Sequence, residues 1–401
     1  MSSGLQEAVR RPDDRPVRVT ELCRSVFCCL ARADQRRWAE TYVRGLLSVP
    51  GRKSIRRISE QLVGYRADQS LQQFLNQSPW DCAQVRANLA HYFAATLRPK
   101  AWVLAEVAFP KHGASSVAVT RQYASSLGRT VNCQLGIAAL LATEQGSCPV
   151  NWRLTLPRGW DDDAERRRRA RIPTNERHRP WWQYVLEIID EMAGTWALAG
   201  VPVLVDCRHD PRVEPLLRGL DSRGVRYAAR VAGGMLIRPA GPRRANATPR
   251  PRPMPVGDAA AAVPRWNRTT IACWDGEHGR LSRSQYAVIP ISGRPDVHRI
   301  VPGRGYQSPP HILVEWTTSP ANPTSLWITN LNASRLPALA NLLRLPEQSR
   351  RDLQRMHEES GLQHFEGRSY PGWHHHVTLV SIAHAYRLLT RGHDGPSGQT
   401  E

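Results

Sequence analysis

Apolar residues recur at three- and four-residue steps through the first part of the chain. Trp38, Tyr42, Leu46 and Leu47 form one stripe, Ile55, Ile58 and Leu62 a second, and Leu71, Phe74 and Leu75 a third. That period is helical, so residues 17–98 predict an all-helical domain behind a polar stretch, 1–16, that reads as a disordered leader. At Ala101 the pattern changes. Trp102–Phe109 (WVLAEVAF), Val131–Leu141 and Pro149–Leu156 are mostly apolar runs of strand length, the last two joined by a turn near Gly146. Trp181–Ala199 returns to helical spacing, with Val185, Leu186, Ile189 and Met192 on one side. Val201–Val205 is an apolar strand ending at Asp206, a helix follows from about Arg212 to Arg223, and Arg226–Val231 is strand again. Three strands followed by helix, strand, helix and strand predict a mixed α/β sheet flanked by helices.

Residues 239–265 are rich in Pro, Ala and Arg and read as a linker or mobile basic loop. Four short β-like runs come next, Thr269–Trp274, Ser284–Ile291, Ile312–Thr317 and Ser325–Asn330, which together predict a β-rich insertion. Helical pattern resumes at Leu336–Leu345 and Arg350–Ser360, and Gly361–Leu389 closes the α/β domain. The expected division is therefore 17–98 helical, 99–238 the first part of the α/β domain, 239–345 linker and insertion, 346–392 closing helices, and 393–401 a disordered tail. No internal repeat is visible.

Charge adds a partner to this picture. The 401 residues carry a formal net charge of +20, almost wholly from Arg, since Lys occurs only at 53, 100 and 111. Such an excess predicts a polyanionic partner, most often nucleic acid. No apolar run reaches the ~18 residues of a membrane span, and the polar, mixed-charge start is neither a signal nor a transit peptide. A cytoplasmic, nucleoid-associated protein is the expectation. The eight Cys lack paired CxxC spacing, which argues against structural zinc and for free thiols in a reducing compartment. The triplet His374–His375–His376 lacks the i, i+4 spacing that puts two imidazoles on one helix face.

A few carboxylates and cations could carry chemistry. Asp206 ends a strand, where open α/β sheets bind ligands; a turn or cap is the plainer role. Asp161–Asp163 read as a helix N-terminus or a solvated patch. Glu366 lies among His, Arg and aromatic residues just before an apolar helical segment, and a surface ion pair would be its bland reading. Arg52, Lys53, Arg56 and Arg57 open a helix after Pro50–Gly51, as backbone-phosphate contacts or as an ordinary basic face.

Several stretches go further. LQQFLNQSPWD (71–81), AFPKHGASSVAVTRQYASSLGRTVNCQLGI (108–137), CPVNWRLTLPRGWDDD (148–163), RHRPWWQ (177–183), VPVLVD (201–206) and HFEGRSYPGWHHHVTL (364–379) resemble insertion-sequence transposases of the DDE class. The resemblance implies a ribonuclease H-like fold in which three carboxylates hold two Mg²⁺ or Mn²⁺ ions for phosphodiester cleavage and strand transfer. It places Asp206 as the second metal ligand and Glu366 as the third. At the position of the first, the bridging Asp, this chain has Ala105. Glu106 is the only adjacent substitute, and neighbouring strand residues face opposite ways. The resemblance also implies a Tyr-Gly pair after the second Asp, where Cys207, Arg208, His209 and Asp210 stand, and Tyr and Lys at the positions of Leu353 and His357.

A methyl group cannot bind a hard cation, so the expectation is a transposase-derived, degenerate DNA-binding protein, catalytically inactive and suited to transcriptional regulation. An active enzyme using Glu106, Asp206 and Glu366 is the second reading. An inactive subunit or inhibitor of intact transposases is the third. Double-stranded DNA is the expected partner and a homodimer one allowed assembly. The expected DNA contacts are Arg52, Lys53, Arg56, Arg57, Lys111, Arg121, Gln122, Tyr123, Arg129, Arg368, His374 and His375; Trp274, Trp316 and Trp327 either stack on a splayed base or pack in the core.

Overall fold

The computed structural model describes residues 18–63, 67–210, 212–240, 252–275, 280–292, 309–317 and 322–391. The expected leader and tail and the middle of the basic linker lie outside the described residues. Five helices come first: α1 (Val19–Val26), α2 (Ala33–Ser48), α3 (Ile55–Leu62), α4 (Asp68–Asn76) and α5 (Cys82–Leu97). Local chemistry sets their starts. Ser54 caps α3 by accepting from the Arg57 N–H at 3.3 Å, and Asp81 caps α5 by accepting from Ala83 at 2.8 Å, each relieving an orphan donor of the first turn. Gly51, at φ +64°, makes the left-handed bend before α3.

The α/β part follows as β1 (Ala101–Pro110), β2 (Thr120–Ala124), β3 (Arg129–Ala142), β4 (Ser147–Leu154), α6 (Ala164–Ala170), α7 (Trp181–Asp190), β5 (Val203–Asp206), α8 (Glu214–Ser222) and β6 (Tyr227–Arg230). Strand order across the sheet is β4–β3–β1–β5–β6. The β4–β3 and β3–β1 pairs are antiparallel, and β1–β5 and β5–β6 are parallel. This is the mixed, ribonuclease H-like sheet that the pattern and the resemblance predict. β1 and β3 are buried on both faces and accordingly read as near-continuous apolar runs. Asp163 caps α6 by accepting from the Arg166 N–H at 2.8 Å, so the aspartate run does start a helix.

After the short pair β7 (Leu236–Ile237) and β8 (Met254–Pro255) and helix α9 (Val256–Ala261) come β9 (Thr269–Asp275), β10 (Arg280–Pro290), β11 (His311–Trp316) and β12 (Ser325–Thr329). The sequence predicts a β-rich insertion here, and in the structure β12 pairs with β6, and β11, β10 and β9 follow outward, so all four continue the central sheet. Trp316 and Trp327 are buried at 1% and 3% exposure, which removes them as base-stacking surfaces. The side chain of Trp274 lies outside the described residues.

Helices α10 (Leu336–Leu342), α11 (Leu345–Ser360) and α12 (Tyr370–Arg391) close the fold. α11 crosses β1, β3, β4 and β5, while α12 packs against β4 and also against α2, α4 and α5. One buried cluster consequently runs from Leu22 to Leu389, joining the N-terminal helices to the sheet. Polar ties reinforce it. Buried Arg86 of α5 donates to Thr378 Oγ1 at 2.7 Å and to the Trp152 carbonyl at 3.0 Å, and the Tyr42 hydroxyl lies 3.0 Å from His376 Nδ1.

Candidate active site

Register builds the site. β1 and β5 pair as Trp102–Val203, Val103–Leu204 and Leu104–Val205, so the next step sets Ala105 beside Asp206, one strand spacing (~4.8 Å) away and on the same face. Asp206 pairs in turn with Arg230, Arg230 with Trp327, Ala105 with Ala138, and Ala138 with Trp152. A row Trp327–Arg230–Asp206–Ala105–Ala138–Trp152 thus crosses the sheet. It lies on the face that α12 covers: Phe109, four residues on from Ala105, meets Trp373 of α12 at 5.4 Å between ring centroids. Glu106 points to the other face. Its carboxylate accepts from Ser125 N–H and Oγ, both at 2.7 Å, and closes the β2–β3 turn. It is not a substitute for an acid at 105.

Asp206 is already compensated. Arg208 donates Nε at 3.0 and 3.1 Å and Nη2 at 2.7 Å to its two oxygens, and the Arg208 N–H adds a bond of 3.1 Å. Burial alone would raise the Asp206 carboxyl, but the side-chain and backbone bonds from Arg208, with the charges of Arg208 and Arg230, hold it below its ordinary value. Above the site, α11 contributes Glu347, whose charge reaches Arg208 and Arg230. Arg350 grips Glu347 with Nε at 3.2 and 3.1 Å and Nη2 at 2.6 Å. Those bonds, outweighing partial burial, lower the Glu347 carboxyl, and Arg351 acts the same way through its charge.

Glu366 belongs to a different place. It precedes α12 in the 361–369 loop and pairs with Arg52, both side chains being more than 60% exposed. Together with Lys111, His364 and Arg368 it lines a cleft of about 750 Å³ that also includes Ser115 and Ser116 but not Asp206. The cleft opens beyond the end of β1, around Lys111, six residues past Ala105, which is ~20 Å of extended chain. Asp206 does not line that cleft, and the two carboxylates take different partners, Arg208 and Arg52. Burial, only partly opposed by Glu366, lowers the Lys111 ammonium to about 8, and that ammonium donates to the Phe365 carbonyl at 2.6 Å.

Of the remaining expected DNA contacts, Arg121, Tyr123 and Arg129 are exposed along the β2–β3 arm, while Gln122 turns inward and donates to the Cys133 carbonyl at 3.2 Å. Arg56 and Arg57 are exposed on α3, Arg56 paired with Glu60 at 2.8 Å. Three residues need correction. Lys53 is 5% exposed and its ammonium folds back onto the Val49 carbonyl. His374 and His375 are 6% and 3% exposed. His374 Nδ1 lies 3.0 Å from Arg86 Nη2, and His375 stacks on Trp80 with Nδ1 2.8 Å from the Leu75 carbonyl. These are core groups and present nothing to a phosphate. Arg230, Glu347, Arg350 and Arg351 are the site residues that sequence reasoning missed. The available signals were Pro346 at the start of α11 and the Glu347–Arg350 spacing of three, which puts both on one helix face.

A pair of divalent ions about 4 Å apart requires carboxylates to bridge them. Around Asp206 stand a methyl group and two guanidiniums, Arg208 and Arg230, with Glu347 in electrostatic reach of both arginines and Glu315 in reach of Arg230. Among the described residues no group of three or more His, Cys, Asp or Glu side chains converges to hold a metal. The donors present do not fit a two-metal centre.

The sheet order and the acid at the end of its parallel strand define the ribonuclease H-like class of nucleases and phosphoryl-transfer enzymes. Within that class, a family model described as DDE superfamily endonuclease matches residues 25–285, more than half of the 401-residue chain, and the chain belongs to that family. The match spans Ala105 and Asp206 and ends before α11 and Glu366. No curated protein matches the chain. It is therefore a transposase-like member with a nuclease fold suited to nucleic acid, and no helix among its described residues is long and apolar enough to cross a membrane.

Proposed function

We propose that this chain is a transposase-derived DNA-binding protein that has lost two-metal phosphodiester cleavage. The observation carrying this reading lies at the end of the β1–β5 pairing: Ala105 follows Leu104 as Asp206 follows its partner Val205, and Arg208 occupies both Asp206 oxygens. A carboxylate that an internal guanidinium already neutralises offers a cation little. DNA affinity depends on Arg and Lys contacts to phosphates and needs no metal, so it survives such a change. The net charge of +20 and the exposed Arg52, Arg56, Arg57, Arg121 and Arg129 support the DNA-binding half of the reading, with the N-terminal helices and the β2–β3 arm as its main contributors.

Incubation of the full chain with terminal-repeat duplexes and Mg²⁺ or Mn²⁺ tests it. The expected result is tight, salt-sensitive binding with no strand cleavage or transfer. Cleavage that disappears in the Asp206→Asn variant would overturn the loss of catalysis. A genome-wide binding map then separates a regulator, bound at promoters, from a protein still addressed to transposon ends.

A further inference from the structure

Cys28 and Cys29 adjoin in the turn between α1 and α2, and of the cysteines described they alone are exposed. We propose that the two form a dithiol site for a trivalent arsenical, an acceptor that is soft, thiophilic and satisfied by two protein sulfurs. The proposal is independent of the DNA-binding reading.

The turn is held from both sides. Phe27 and Leu30 are buried at 1% and 3% exposure, and the Leu30 N–H donates to the Phe27 carbonyl at 3.0 Å. The two cysteines are therefore the central residues of a hydrogen-bonded turn. Asn88 of α5 gathers their sulfurs. Its Nδ2 donates to the Val26 carbonyl at 3.1 Å and to Cys28 Sγ at 3.5 Å, while Cys29 Sγ donates to that same carbonyl at 3.8 Å. Both thiols thus meet at one amide and one carbonyl, and Cys28 acts on Cys29 through its charge.

This placement narrows what the pair can take. Adjacent Cα atoms stand about 3.8 Å apart, short of the roughly 4.4–6.8 Å that an unstrained disulfide spans, so direct closure is opposed. An acceptor atom between the sulfurs lengthens the bridge. A structural zinc takes four ligands, and among the described residues no group of three or more His, Cys, Asp or Glu converges here. Trivalent arsenic bearing one carbon substituent needs only two. In the reaction with R–As=O, two As–S bonds form, the arsenic–oxygen bond breaks, and the oxygen leaves as water with both thiol protons. Arsenic stays trivalent and nothing is oxidised. Burial, then the neighbouring Cys28, raises the Cys29 thiol above its ordinary value, so that thiol still holds the proton which the departing oxygen takes.

The test is intact-mass analysis of the full chain, kept reduced with a phosphine, after one equivalent of phenylarsine oxide. Wild type should gain one phenylarsenic with loss of one water and keep it through excess monothiol, while a small dithiol strips it. Cys28→Ser and Cys29→Ser, both at exposed positions, should each lower retention against monothiol about a hundredfold, because a chelate becomes a single bond. Cys82→Ser, at the half-buried thiol that opens α5, should leave retention as in wild type. Equal retention in either of the first two variants would overturn the site, as would loss of the adduct in Cys82→Ser. Wild type that yields its label to monothiol would overturn it as well.

Discussion

Two of the carboxylate–arginine pairs, Asp206–Arg208 and Glu366–Arg52, differ in almost every respect that matters for chemistry. Asp206 ends a strand, and its partner is two residues away on the same short turn. Glu366 sits in a loop, and its partner Arg52 comes from the N-terminal helices, 314 residues away in sequence. The first pair is held at a fixed register beside Ala105 and beneath α11. The second bridges two loops over an open cleft. Catalytic carboxylates must converge to within a few ångströms on rigid elements, and of the two only Asp206 is so placed. The lesson is that two acids in the right sequence order need not meet, and that an arginine beside an acid can replace a cation rather than recruit one.

The largest effect is expected from restoring acids to the sheet face. Ala105→Asp combined with Arg350→Glu replaces a methyl group and a cation with two carboxylates and so lowers the local charge by three. The double variant should bind Mn²⁺ at least about tenfold more tightly than wild type in calorimetric titration. Glu366→Gln should leave Mn²⁺ binding unchanged, and an effect there would join the two places after all.

Next comes the pH response of the cleft. Lys111, lowered to about 8 by burial against the pull of Glu366, is charged at pH 7 and mostly neutral at pH 9. It faces Glu366, with Arg52, Arg368, His112, His357 and His364 on the same cleft walls. If the cleft grips phosphate, duplex affinity should fall about fivefold between pH 7 and 9 as one contact loses its charge, and Lys111→Arg should flatten the profile. An equal fall in both proteins would assign the response elsewhere.

The smallest effects separate the pairs by stability. Arg208→Ala strips Asp206, 37% exposed, of its three side-chain bonds and should cost about 1 kcal/mol in urea denaturation. Arg52→Ala removes an ion pair more than 60% exposed on both sides and should cost less than about 0.5 kcal/mol.

Much of the fold is legible in the sequence because it is local. The apolar runs of β1, β3 and β5 and the helical stripes of α2–α4 each carry their own period. What is not legible depends on distant pairing. Nothing in Ser325–Asn330 says that it lies beside Tyr227–Arg230, yet that contact makes the β-rich insertion an extension of the main sheet. The histidine triplet misleads for a related reason. Successive helical residues point about 100° apart, so all three are buried only because α12 is enclosed by β4, α2, α4, α5 and α11. The site itself is half legible. Asp206 and Ala105 stand out through the strand pattern and the resemblance, whereas Glu366 is misplaced because the loop before α12 carries it past the end of β1, and α11 brings arginines where an acid is needed.

The most direct test of the central claim is a crystal of the full chain soaked in Mn²⁺ and measured at the manganese absorption edge. The account predicts no anomalous peak between Asp206, residue 105 and α11. Two peaks about 4 Å apart there, bridged by Asp206 and any other carboxylate, would contradict it.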